Sequence, residues 1–155
     1  MLELNQPAPS FILQSHTREE TSLSALKGKN VILAFYPAAF TGVCQNQMCS
    51  FRNSLSELND ANATVFGVSV DSPFSNGVFA AQNELNFPLL CDAGRATIAA
   101  YNIEFPDFAG IPGYTVAKRS VFVIDAEGIL RYQWIAPNPG VEPDYDEVKA
   151  FVQTL

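Results

Sequence analysis

Two uninterrupted apolar runs, Val31-Ile-Leu-Ala-Phe-Tyr36 and Thr64-Val-Phe-Gly-Val-Ser-Val70, constrain this chain more than any other feature. A strand with one wet face alternates polar and apolar residues. A run without that alternation reads as a central strand covered on both sides. Between the two lies a polar stretch, Gln45 to Asn59, that reads as a helix. Strands alternating with helices, then a hairpin and a last helix, predict an α/β fold with a mixed central sheet and helices on both faces, thioredoxin-like in architecture.

The remaining elements follow from local signals. Phe11-Ile-Leu-Gln and Thr21-Ser-Leu flank a polar loop and predict an N-terminal hairpin. Ser22 to Gly28 reads as a short helical turn closed by glycine. Ser72-Pro73 starts a helix to about Leu85, with Ser72 as N-cap and Pro73 in the first turn. Phe87 to Asp92 is a short strand and Gly94 to Tyr101 a short helix. Asn102 to Val116 has no period and reads as a long loop. Arg119 to Asp125 and Ile129 to Ile135 pair across a tight turn at Ala126-Glu-Gly128. The terminal helix gathers Val148, Phe151, Val152 and Leu155 on one face.

At 155 residues and 48% hydrophobic, the chain predicts one domain over 1–155. No apolar run approaches the roughly 20 residues of a membrane span. Residues 1–7 show no secretory pattern, which predicts a cytoplasmic protein. A net charge of -7, with nine scattered Lys and Arg, argues against nucleic acid as a partner. Three cysteines, an odd number, point to thiol chemistry in a reducing compartment. The single histidine, His16, has no partner pattern and reads as a loop residue; no metal site is expected.

Cys44 stands where that chemistry is most natural. It follows an apolar strand and a proline-initiated turn, Pro37-Ala-Ala-Phe-Thr41-Gly-Val-Cys44, and falls in the first turn of a helix. Free N–H groups and the positive end of the helix dipole favour thiolate there. Pro37-x-x-x-Thr41-x-x-Cys44 resembles the active-site signature of peroxiredoxins. The likeness extends to Pro7-Ala-Pro-Ser-Phe, Phe35-Tyr36-Pro37, Phe51-Arg52, Val68-Ser-Val-Asp71-Ser, Phe87-Pro-Leu-Leu and Arg119-Ser-Val-Phe-Val-Ile-Asp125. The wording around Cys44 is similar to the alkyl hydroperoxide reductase E type, and the cysteine spacing to the bacterioferritin comigratory type.

The resemblance implies a thiol-dependent peroxidase in which Cys44 attacks a hydroperoxide and becomes a sulfenic acid. Arg119 is then the cation beside the sulfur, Thr41 a hydroxyl that holds the peroxide, and Pro37 a shield for the thiolate. Each also has a plainer reading: a surface ion pair for Arg119, an N-cap for Thr41, helix initiation for Pro37. Cys49 is the implied resolving cysteine, or else a buried residue beside Met48 and Phe51. Cys91 is a lesser candidate for resolution, with burial as its alternative. Without a resolving cysteine, an external thiol regenerates Cys44. Many relatives carry an acidic residue where this chain has Gln47, which keeps the hydrogen bonding and loses the charge. Arg52 on the same helix is expected to pair with a carboxylate.

The resemblance implies no cofactor, since the electrons come from sulfur. It implies a hydroperoxide as substrate, with thioredoxin, glutaredoxin or a small thiol as reductant. A homodimer is a further expectation, with Phe40, Phe105, Phe108, Ile111 and Tyr114 as contact residues. Two rival readings remain: a thioredoxin-like thiol-disulfide oxidoreductase, which would need the absent Cys-x-x-Cys, and a non-catalytic binding domain.

Overall fold

A computed structural model describes residues 1–155. The elements run β1 (Ile12–Ser15), β2 (Glu20–Ser22), β3 (Asn30–Phe35), α1 (Gly42–Asp60), β4 (Ala63–Ser69), α2 (Pro73–Gln82), β5 (Leu89–Cys91), α3 (Ala96–Ala100), β6 (Glu104–Phe105), β7 (Val116–Ala117), β8 (Ser120–Ile124), β9 (Leu130–Ile135) and α4 (Tyr145–Val152). Seven strands form one sheet in the order β2-β1-β5-β4-β3-β8-β9. β3, β4 and β5 are parallel; β8 joins β3 antiparallel and β9 closes that edge. This is the expected mixed sheet with its N-terminal hairpin.

Both central runs are covered on both faces. Ile32, Ala34 and Tyr36 point to one side with Val121 and Val123, beneath side chains of α1, α2 and α4. Val31, Leu33 and Phe35 point to the other, with Phe122, Ile124 and the α3 residue Ile98. On that second face the rings of Phe35, Tyr101 and Phe122 pack with centroids 5.0 to 5.7 Å apart. A polar residue in either run would lose water on one face or the other, and the one buried inside them, Ser69, keeps hydrogen-bond partners in Asp71 and Asn76.

Gly67 fixes how closely α1 sits on the sheet. A Cβ there would lie 2.6 Å from Leu89 Cδ2 and 2.9 Å from Met48 Sδ, closer than packed carbons tolerate. Met48 lies one turn beyond Cys44, so this approach seats the start of α1 over the ends of β3 and β4.

Some expectations need correction. Asn102 to Val116 is not structureless: Glu104 and Phe105 pair with Ala117 and Val116 in a two-stranded ribbon. Strands of two residues are too short to show a period. α2 ends at Gln82, and α1 begins at Gly42. Leu155 lies beyond α4 and is 44% exposed, so Val148 and Val152 alone are the fully buried contacts of that helix. His16 has a structural task, because its Nδ1 accepts the Leu89 N–H at 3.1 Å. Arg52 reaches no carboxylate; its Nη1 donates to the Asn83 carbonyl and ties α1 to the end of α2.

Candidate active site

The loop from Pro37 to Thr41 leaves β3 at the carboxyl end of the parallel strands, the usual position for a site in such sheets. Phe40 holds a left-handed conformation, φ 67°, and stacks edge-on against Phe79 at 5.5 Å. The Ala39 N–H donates to Asp71 Oδ2 at 2.9 Å, and Ser69 Oγ donates to the same oxygen at 2.9 Å. Asp71 therefore tethers the loop to the end of β4. A hydrogen-bonded chain continues beneath it, through Ser69 and Asn76 to the Tyr36 hydroxyl at 2.8 Å.

Thr41 occupies the N-cap position of α1, but its side chain makes no capping bond. Its hydroxyl donates instead to the Ala38 carbonyl at 3.0 Å. That bond uses the proton and leaves oxygen lone pairs free. The N–H groups of Gly42, Val43 and Cys44 have no backbone acceptor, while Gln45 already bonds to the Thr41 carbonyl. No acidic residue stands in this first turn. The helix thus presents bare donors around the Cys44 sulfur. Pro37 is buried at the base of the loop.

Arg119 lies one residue before β8, whose Ser120 pairs with Phe35 at the end of β3. Its Nη2 donates to Cys44 Sγ at 3.2 Å. Cys44 is 0% exposed and Arg119 2%. The guanidinium is clamped from other sides too: Nη1 donates to Gln47 Oε1 at 2.7 Å, and Nε and Nη2 donate to the Pro139 carbonyl at 3.2 and 3.1 Å. The surface ion pair is thereby excluded, since Arg119 is buried and bonds to no carboxylate. A cation donating to sulfur favours the charged thiolate.

All three cysteines are free thiols. Cys49 is half-buried on α1, its thiol 3.7 Å from Asn83 Oδ1. Both Cys44 and Cys49 belong to the continuous helix α1, where an i, i+5 pair is separated by about 8 to 9 Å between Cα atoms. A disulfide closes only below about 7 Å. Cys91 sits on β5 and accepts from Asn76 Nδ2 at 3.4 Å; burial pushes its thiol up, which keeps it protonated. The structure therefore sets Arg119 against the Cys44 sulfur, puts Pro37 and Thr41 in the loop that leads into α1, and leaves Cys49 and Cys91 bonded elsewhere.

Two contributors escaped the sequence reading. Asp71 stands at the end of an apolar strand, and that position is the signal the sequence offers. The Pro139 carbonyl had none, because backbone groups carry no residue signature. A cavity of about 370 Å³ lies against Arg119, lined also by Phe105, Lys118, Ala136, Pro137, Asn138 and Pro139.

Residues 4–133 match the model of the AhpC/TSA family. The alkyl hydroperoxide reductase E of Mycobacterium tuberculosis is 36% identical over 135 residues, covering 85% of this chain and 84% of the relative. A chloroplastic peroxiredoxin Q of Populus jackii is 34% identical, covering 97% of this chain and 68% of that protein. Among solved structures, the peroxidoxin BcpB of Mycobacterium tuberculosis superposes with a TM-score of 0.87 at 26% identity, covering 100% of this chain and 99% of that one. Peroxiredoxin Q of Xanthomonas campestris gives 0.82 at 27%, covering 93% and 90%. A loop, helix start and buried arginine of this kind, together with relatives of this similarity over most of the chain, place the protein in the AhpC/TSA family as a peroxiredoxin, a thiol-dependent peroxidase.

Proposed function

We propose that Cys44 is the peroxidatic thiolate and that Arg119, Thr41 and Pro37 form its immediate machinery. The observation that carries this reading is the 3.2 Å contact between Arg119 Nη2 and Cys44 Sγ, with both residues buried at the start of α1. The thiolate attacks the distal oxygen of a hydroperoxide. An S–O bond forms, the O–O bond breaks, and the leaving alkoxide or hydroxide takes up a proton to become alcohol or water. Sulfur is oxidised to sulfenic acid as the peroxide is reduced. Thr41 Oγ1, its own proton committed to Ala38, accepts from the peroxide O–H, and the guanidinium steadies charge on the departing oxygen. Pro37 closes the apolar side of the site.

The substrates proposed are hydrogen peroxide and organic hydroperoxides. A structural relative from Xanthomonas campestris is described by its alkyl peroxide reduction activity, and the cavity beside Arg119, walled by Phe105 and two prolines, suits an organic substituent. For recycling, Cys49 attacks the sulfenic acid to give a disulfide and water, which requires the first turns of α1 to unwind. Cys91, protonated and buried, is the weaker candidate. Thioredoxin, glutaredoxin or a small thiol completes the cycle. Three free thiols fit a reducing compartment, the cytoplasm. A homodimer is supported by exposed Phe40 and Ile111; Phe105, Phe108 and Tyr114 are partly engaged with one another, at 5.8 and 6.0 Å. Light scattering that shows only monomers at micromolar concentration would remove the dimer.

The test of the function is a pair of variants. Cys44→Ser should abolish peroxide consumption, whereas Cys49→Ser should lose only turnover with a dithiol reductase. Activity retained in Cys44→Ser overturns the reading.

A further inference from the structure

Gln47 is fully buried one turn along α1 from Cys44, yet its amide is satisfied at both ends. Oε1 accepts from Arg119 Nη1 at 2.7 Å, and Nε2 donates to the Phe35 carbonyl at 3.3 Å. The two partners fix the amide's direction: a guanidinium only donates and a carbonyl only accepts. A carboxylate in this place would satisfy Arg119 but turn its second oxygen on the Phe35 carbonyl with no proton between them. It would also share the guanidinium charge that now faces the sulfur.

We propose that Gln47 is a positioning residue that holds Arg119 against Cys44 through an uncharged bridge to the Phe35 backbone, so that the guanidinium charge acts undivided on the thiolate. The surrounding groups leave that charge dominant. Tyr36 at the end of β3, Tyr114 before β7 and Tyr145 at the start of α4 are all held above the usual tyrosine range, first by burial, and stay neutral near pH 7. Asp71, the carboxylate at the end of β4, is tied to Ala39 and Ser69. Cys49 on the same helix points to Asn83.

The inference rests on Cys44 being the reacting thiolate, and its test reads the sulfur separately from turnover. Ultraviolet thiolate absorbance is followed against pH for the protein and for Gln47→Glu, each corrected by its Cys44→Ser counterpart. The midpoint in Gln47→Glu should lie about one pH unit higher, because a new negative charge beside the guanidinium disfavours thiolate. The acid limb of the peroxidase pH–rate profile should move with it, leaving about ten-fold less activity well below the midpoint and converging with the parent above it. Coincident midpoints, or an equal loss of rate at every pH, would overturn the proposal. If Gln47→Glu fails to fold, Gln47→Met removes both bonds at similar volume; its midpoint should also rise, and an unchanged one is the overturning result. Should Cys44→Ser retain peroxidase activity while the absorbance shift persists, the functional reading fails and the bridge stands.

Discussion

Arg119 Nη2 and the Cys44 sulfur meet at 3.2 Å across 75 positions of sequence, and neither residue has appreciable contact with water. The antiparallel pairing of β8 with β3 creates the meeting, because Ser120 lies opposite Phe35 and sets Arg119 beside the loop that follows. The Pro139 carbonyl and Gln47 then leave the guanidinium little freedom. A donor held in place before the reaction needs no rearrangement when charge moves from sulfur to oxygen.

Arg119→Lys tests this directly. An ammonium keeps the charge but lacks the planar fork that reaches Cys44, Gln47 and Pro139 together. The second-order rate constant with hydrogen peroxide should fall by about 100-fold, the scale of losing one preorganised donor. Competition kinetics measure it, and a loss under about three-fold would mean that charge alone suffices.

Asp71 is expected to govern the loop. Asp71→Ala removes the acceptor of the Ala39 N–H and of Ser69 Oγ, while Phe40 still has to hold its φ of 67°. Hydrogen exchange across residues 38–42 should accelerate at least ten-fold, about the 1.4 kcal/mol cost of a lost bond to a charged acceptor. Peroxide reduction should slow as the loop loses its single geometry. Unchanged exchange in that segment would show that the tether is idle.

These two residues mark the limits of what was legible. The central strands could be read because burial on both faces leaves unbroken apolar runs, and Cys44 because a helix start after a strand has local signals. The Arg119 role came from resemblance, since no local rule distinguishes a buried arginine from a surface one. The β6–β7 ribbon, the Gln47 bond to Phe35 and the Pro139 carbonyl were invisible because they depend on backbone groups assembled by the fold. The sequence allows Thr41 two roles, and its hydroxyl, by turning to Ala38, leaves the capping role unfilled.

Gly67→Ala should destabilise the protein by forcing α1 away from the sheet. The new Cβ would press on Leu89 and Met48, and overpacking of this kind costs about 1–3 kcal/mol. Thermal unfolding should fall by about 3–10 °C for a chain of this size. No change would mean that α1 can shift outward freely.

Stability should also depend on Asp125 in acid. Burial raises its carboxyl, but the Arg131 hydrogen bond, the Ile129 and Glu127 N–H groups and the Arg131 charge outweigh that and hold it below the usual range. A depressed carboxylate contributes stability above its unfolded value of about 3.9 and loses it as pH falls through the folded value. Asp125→Asn should therefore be less stable by about 1 kcal/mol at pH near 7. The difference should vanish once the pH has fallen below the depressed folded value and the carboxyl is protonated. Denaturant midpoints at both pH values check it, and a gap that persists in acid would assign the effect to packing.

The most direct test of the central claim is to add one equivalent of hydrogen peroxide to the reduced protein and identify the altered cysteine over time by mass spectrometry. The account predicts that Cys44 is oxidised first and far faster than an ordinary thiol, as sulfenic acid or as a disulfide with Cys49. Slow oxidation spread evenly over Cys44, Cys49 and Cys91 would contradict it.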